Sequence, residues 1–291
     1  SRAGAFGVTA PVDRLHARSE RLGAPLCLGI DPRPDRLPEA LAPGVRGVES
    51  LARGVIEAAV EHAVAVKINV AFFEAFGSEG WSALERVRAD VPIDVLCVLD
   101  AKRGDIGSTA ERYADGLMGH LRADAVTLSP YLGEDAIEPF LAFADRMVYV
   151  LARTSNPSAP RIQELMVDDE PIHLRVARWA AERWTDGRVG LVVGATAPDE
   201  LARLRALVPG PAFLVPGVGA QGGDLEASVR ACNGAWASGI VSVSRGITEA
   251  PRGPDWQEAA ASAAETLRGR MQEAVLHSTA DAAHAAHSGG S

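Results

Sequence analysis

The residues best suited to chemistry lie in Leu96-Cys97-Val98-Leu99-Asp100-Ala101-Lys102-Arg103-Gly104-Asp105, an apolar run that ends abruptly in charge. If the run is a strand, Asp100 and Lys102 share a face, because strand side chains repeat every second residue. Asp105, past Gly104, then falls on the loop above them. Of the 29 Lys plus Arg residues only Lys67 and Lys102 are lysines, and both stand at the ends of apolar runs. Arg cannot give up its proton, whereas the Lys ammonium is a compact charge that a site can tune and use as an acid. A chain that avoids Lys and keeps two at comparable places points to ammonium chemistry. An incidental ion pair on a solvated strand end would be worth only ~0.5 kcal/mol.

These groups need a frame that brings strand ends together. Short apolar runs recur at Leu26 to Ile30, Val64 to Asn69, Val95 to Leu99, Ala125 to Leu128, Met147 to Leu151, Val189 to Val193, Ala212 to Val215 and Gly239 to Val243. Segments with helical period separate them, as in Val48 to His62, Ser108 to Leu121, Glu134 to Phe143 and Pro198 to Leu207. Strands alternating with helices imply a parallel sheet, and eight units in roughly 250 residues suggest a single-domain (β/α)8 barrel, the TIM barrel of the α/β class. A doubly wound open sheet is the runner-up, but no GxGxxG follows the first strand. The fifth crossover, Ser155 to Gly187, is long enough to hold an insertion besides its helix. In a barrel the polar strand ends face one mouth: Asp31, Lys67-Ile68-Asn69, Asp100-Ala101-Lys102, Ser129-Pro130, Arg153-Thr154-Ser155-Asn156, Gly194-Ala195-Thr196, Pro216-Gly217 and Ser244-Arg245-Gly246.

The seventh of these ends continues into Pro216-Gly217-Val218-Gly219-Ala220-Gln221-Gly222-Gly223-Asp224, with four glycines in seven residues before a helical segment. Such a loop turns backbone N–H groups toward an anion. Arg245, after the next strand, adds a fork of donors suited to phosphate oxygens, at the place where barrels usually hold phosphate. A net charge of -9 without a basic run argues against nucleic acid or an anionic membrane as partner. No apolar stretch has membrane-spanning length and no signal-peptide pattern opens the sequence, which reads as soluble and cytoplasmic. Cys27, Cys97 and Cys232 are scattered in apolar surroundings, as buried reduced thiols are. No His, Cys and carboxylate cluster with metal-ligand spacing occurs at the mouth, so no metal is expected there.

At this point the residues match a known family. Asp100-x-Lys102-x-x-Asp105-Ile106, with Lys67 one strand earlier and the glycine loop before Ser244-Arg245-Gly246, resembles orotidine 5'-phosphate decarboxylase. Gly29-Ile30-Asp31-Pro32-Arg33-Pro34, Ala71-Phe72-Phe73-Glu74 and the long fifth crossover resemble the longer bacterial branch, and the likeness extends from about Phe6 to Arg270. The resemblance implies decarboxylation of orotidine 5'-phosphate to uridine 5'-phosphate (UMP) without metal or organic cofactor, the last step of pyrimidine nucleotide synthesis. It implies that Lys67, Asp100, Lys102 and Asp105 form the catalytic array, with Lys102 protonating the ring carbon. It places Asp31, Lys67 and Thr109 at the ribose, Ser155 at the pyrimidine edge with Thr154 and Asn156 as alternatives, and Gln221 and Arg245 at the phosphate. Ile106, Gly222 and Gly246 are expected to touch substrate as well. It further implies a two-fold homodimer in which Asp105 and Thr109 enter the neighbouring site.

Two other readings are weighed against this one. A sugar-phosphate aldolase or synthase on the related barrel would want a metal, or a Schiff-base Lys without flanking acids. A non-catalytic phosphate-binding scaffold would be expected to have lost part of the array, whose four members are all present. The domain reading is an N-terminal extension or helix over 1–18, the barrel over 19–272 and a structureless Ala/His/Ser/Gly tail over 273–291. That tail holds His277, His284 and His287, whose spacing on a helix could gather a metal but fits a disordered tail better.

Overall fold

Residues 10–219, 222–232, 239–250 and 253–288 are described by the computed structural model. Eight parallel strands close into a barrel: β1 (Leu26–Ile30), β2 (Ala65–Asn69), β3 (Leu96–Arg103), β4 (Ala125–Leu128), β5 (Met147–Arg153), β6 (Val189–Val193), β7 (Phe213–Pro216) and β8 (Ile240–Val243). Each pairs with its neighbours in chain order and β8 closes on β1, with Leu26 opposite Val241. All the expected strands form, and the closure excludes the open sheet. β3 and β5 run on to Arg103 and Arg153, past the ends of their apolar runs.

Alternation within buried strands divides the core into two layers. Leu26, Leu28 and Ile30 pack outward against Val48, Leu51 and Val55 of the helix Val45–Ala59. Cys27, Ala65, Val98, Tyr149 and Leu214 point inward and fill the barrel, as strands buried on both faces require. Gly29 is a point of close approach between β1 and the end of β8: a Cβ there would lie 2.8 Å from Ser244 Cβ.

The base of the barrel is closed by the helix α1 (Pro11–Leu22), whose Leu15 is fully buried in the interior cluster. Arg18 of this helix donates to the carbonyls of Ala63 at 2.7 Å and Val60 at 2.8 Å and to Asp94 at 2.6 Å. The boundary drawn at 18/19 therefore cuts an element that belongs to the barrel. At the other end the final helix spans Trp256–Ser288 and continues past 272, because Met271 and Ala274 are still buried against the body. His277 lies on this helix and is exposed. The side chains of His284 and His287 are outside the described residues. The fifth crossover holds a short helix Pro160–Gln163, a two-stranded antiparallel hairpin of Met166–Val167 and Glu170–Pro171, and the helix Ile172–Arg183.

Candidate active site

The C-terminal ends of the strands surround a cleft of about 400 Å³ lined by Asp31, Lys67, Asn69, Asp100, Lys102 and Thr127 on one side. Thr154, Ser155, Asn156, Gly217, Ser244 and Arg245 line the other. The cleft lies where the sequence put it, but β3 reaches it differently from a regular strand. Its pairing with β4 shifts register between Leu99 and Arg103, and Lys102 has φ 46°, a left-handed conformation. For a Lys this costs of order 1–3 kcal/mol and persists only where the surroundings impose it. The backbone N–H groups of Ala101 and Lys102 both donate to Thr127 Oγ1 at 3.0 Å, and Ser129 N donates to the Arg103 carbonyl at 2.7 Å. Arg103 itself is anchored by an ion pair with Glu74 and stacks on Tyr113 at 5.1 Å. The bulge, rather than simple alternation, aims Lys102 at Asp100.

Within the cleft the charges alternate. Asp100 Oδ2 lies 3.1 Å from Lys67 Nζ and Asp100 Oδ1 lies 2.6 Å from Lys102 Nζ, while Lys67 also stands 3.7 Å from Asp31. The remaining bond to Asp100 comes from the Thr127 hydroxyl at 2.8 Å. Burial alone would push the Lys67 ammonium down, but the carboxylates of Asp100 and Asp31 outweigh it and hold the ammonium well above its ordinary value. Burial would likewise raise the Asp100 carboxyl, and Lys67 and Lys102 overcome this and hold it below the ordinary carboxylate range. Both groups are therefore charged at neutral pH. Cys27, beneath them, is pushed by burial up to about 12 and stays a neutral thiol.

Across the cleft the loop after β5 is locked by its own side chains. Thr154 Oγ1 donates to Asn156 Oδ1 at 2.6 Å and Asn156 Nδ2 donates to Ser158 Oγ at 2.9 Å. The Ser155 hydroxyl makes no such bond among the described residues. The glycine loop carries Gly217, Gly219 and Gly222 at positive φ and closes by a bond from Gly223 N to the Gly217 carbonyl at 3.1 Å. Asp224 caps the helix Leu225–Ala231, accepting from Ala227 N at 2.9 Å. Gly222 and Gly246 are not among the residues that line the cleft, Gly246 lining a neighbouring pocket instead, and Gln221 lies outside the described residues. The exposed Arg245 pairs with no carboxylate among the described residues. Asp105, Ile106 and Thr109 are not brought to this cleft. Asp105 accepts from Ile106 N at 2.8 Å, and Ile106 and Thr109 are exposed beyond the strand end. No three His, Cys, Asp or Glu side chains among the described residues are grouped as a metal-binding set.

The sequence matches the family described as "Orotidine 5'-phosphate decarboxylase / HUMPS family" over residues 24–263. The chain belongs to this family. It is 49% identical over 257 residues to the orotidine 5'-phosphate decarboxylase of Roseiflexus castenholzii, covering 86% of this chain and 93% of that one. Against the enzyme of Cupriavidus necator the identity is 43% over 259 residues, covering 88% and 95%. The solved structure of Leishmania donovani OMP decarboxylase superposes with a TM-score of 0.80 at 39% identity, covering 92% of this chain and 99% of that one.

Within this orotidine 5'-phosphate decarboxylase fold, the cleft residues without a role assigned from sequence include Thr127 and Asn69, beside the charged array. Thr127 saturates its hydroxyl on Asp100 and the bulge, and Asn69 lines the cleft two residues after Lys67. Both were signalled: Thr127 is the polar residue inside Ala125-Val126-Thr127-Leu128, and Asn69 shares the face of Lys67 by strand alternation. No helix among the described residues is long and apolar enough to cross a membrane.

Proposed function

We propose that the protein is a carboxy-lyase that converts orotidine 5'-phosphate to UMP and CO2 without metal or organic cofactor. On this reading it works as a cytoplasmic homodimer. The observation that carries this reading is the Lys67-Asp100-Lys102 array at the barrel mouth of a chain in this family. Breaking the bond to the carboxylate leaves an electron pair on a ring carbon with no adjacent electron sink. Two ammonium groups held charged by buried carboxylates supply a preorganised positive field for that pair. Asp100 stands beside the departing carboxylate, Lys102 delivers its proton to the ring carbon, and solvent reprotonates the amine. Asp31 and Lys67 hold the ribose. Ser155 reads the pyrimidine edge, which is supported by a hydroxyl that lines the cleft and is uncommitted among the described residues. Arg245, Gln221, Gly222 and Gly246 hold the phosphate, and Asp105, Ile106 and Thr109 complete the neighbouring subunit's site.

Mixing the purified protein with orotidine 5'-phosphate in excess EDTA should bleach the orotate chromophore at the rate seen without chelator. No bleaching would overturn the reading. Activity abolished by EDTA and restored by Mg²⁺ would favour a sugar-phosphate reaction on the same barrel. The phosphate assignment has its own test. Arg245→Ala should weaken binding of UMP by about ten- to a hundredfold, the worth of a charge-assisted hydrogen bond, and leave uridine nearly unaffected. Equal losses for nucleotide and nucleoside, measured by calorimetry, would put the phosphate elsewhere.

A further inference from the structure

We infer that His173 is a positioning residue for the base-recognition loop Thr154-Ser155-Asn156, acting through Gln163 and held in place by Glu200. The inference rests on the nucleotide reading above. His173 is the second residue of the helix Ile172–Arg183 and is only 1% exposed. Its Nδ1 lies 2.8 Å from the Gln163 carbonyl oxygen and its Nε2 lies 2.9 Å from Glu200 Oε2 on the helix Pro198–Leu207. A carbonyl only accepts, so Nδ1 carries a hydrogen. The other ring nitrogen, Nε2, shares a hydrogen bond with the Glu200 carboxylate.

Among the other charged groups on the elements around it, Arg203 shares Glu200 with His173 and the arginines nearer the loop are paired with other carboxylates. Arg153 pairs with Glu164 at 2.8 Å, Arg175 and Arg178 with Glu170, and Arg203 lies 3.6 Å from Glu200. His173 is therefore fastened on both ring nitrogens, and it fixes the backbone of Gln163 at the end of the short helix Pro160–Gln163.

From Gln163 the order passes directly to the cleft. Its Oε1 accepts from Thr154 N at 2.8 Å and its Nε2 donates to Thr154 Oγ1 at 2.7 Å. Thr154 Oγ1, having accepted that bond, donates its own hydrogen to Asn156. Each carboxamide atom is matched to the complementary group, so Gln163 has one orientation that works. The side chains of Thr154 and Asn156 are thereby spent on each other and on Gln163. The residue between them, Ser155, lines the cleft and its hydroxyl makes no hydrogen bond among the described residues. Nothing in β5 itself does this, since its last ladder partner is Arg153, opposite Val193. A buried imidazole two bonds away from the cleft sets the pose of the loop that reads the base.

The test separates loop positioning from general stability by using two ligands that differ only in the base. His173→Leu removes the donor to Gln163, and Glu200→Leu removes the group that orients the ring. Both variants should bind UMP roughly ten- to a hundredfold more weakly, as for a misplaced contact, with binding of ribose 5-phosphate unchanged by calorimetry. Glu200→Gln keeps the clasp, since its amide N–H donates to the unprotonated Nε2, and should bind UMP like wild type. Should His173→Leu fail to fold, the Glu200→Leu and Glu200→Gln pair, altered at a partly exposed position, carries the test alone. Discrimination between the two ligands that survives in Glu200→Leu, or a Glu200→Gln variant as impaired as Glu200→Leu, would overturn the positioning role. A wild type that binds UMP no better than ribose 5-phosphate would instead overturn the nucleotide reading itself.

Discussion

Lys102→Ala is expected to lower turnover of orotidine 5'-phosphate by at least about ten-thousandfold while UMP still binds within a factor of about ten of wild type. A positioned proton donor contributes roughly a hundred- to ten-thousandfold, and loss of one charge-stabilising group a further hundred- to a thousandfold. Binding survives because the residues proposed to hold phosphate and base, Arg245 and Ser155, line the other side of the cleft from Lys102. The array also tolerates the loss structurally: Asp100 keeps Lys67 at 3.1 Å and the Thr127 hydroxyl at 2.8 Å, and the bulge is pinned through backbone N–H groups that the substitution leaves in place. Lys102→Arg should not rescue turnover. It restores charge near Asp100, but a guanidinium does not release a proton. Single-turnover measurements with both variants check this, and turnover of Lys102→Ala within tenfold of wild type would remove Lys102 from the role of proton donor.

What could be read from the sequence follows the physics of each feature. Barrel strands buried on both faces are short uninterrupted apolar runs, so all eight were legible in place and in type. The polar residues that interrupt such runs at their C-terminal ends were legible for the same reason, since they have to face the mouth or be buried unpaired. Lys67 and Asp100 were found in this way. The bulge that aims Lys102 was not legible, because its cause lies in Thr127 on the next strand and Ser129 just past its end, and no local pattern in β3 announces a residue at φ 46°. The boundary at 273 failed for a related reason. An Ala-rich stretch has little apolar period of its own, yet Ala274 is buried through contacts made by the rest of the helix. Likewise the clamp on Thr154 joins residues from three separate segments, 154, 163 and 173, and only the folded crossover brings them together.

The second large effect concerns residues absent from the cleft of a single chain. Asp105, Ile106 and Thr109 point beyond the strand end, and Ile106 is 51% exposed while Tyr131 and Leu132 after the neighbouring strand are 87% and 46% exposed. An apolar rim beside a charged loop is costly for a monomer and suited to a second copy across a two-fold axis, where each surface meets itself. In such a dimer each site takes Lys102 from one chain and Asp105 from the other. Lys102→Ala and Asp105→Ala should then each be nearly inactive alone and recover activity when mixed under conditions that exchange subunits. The reason is combinatorial: in the mixed dimer one site collects both defects and the other collects neither. At equal concentrations with random exchange, half of the dimers are mixed and each has one intact site, so recovery approaches about a quarter of wild-type activity per site. If each site were built within one chain, every site in the mixed dimer would carry one defect. A mixture that stays inactive after exchange has been demonstrated, for example by mass spectrometry of differently tagged chains, would place Asp105 in its own subunit's site.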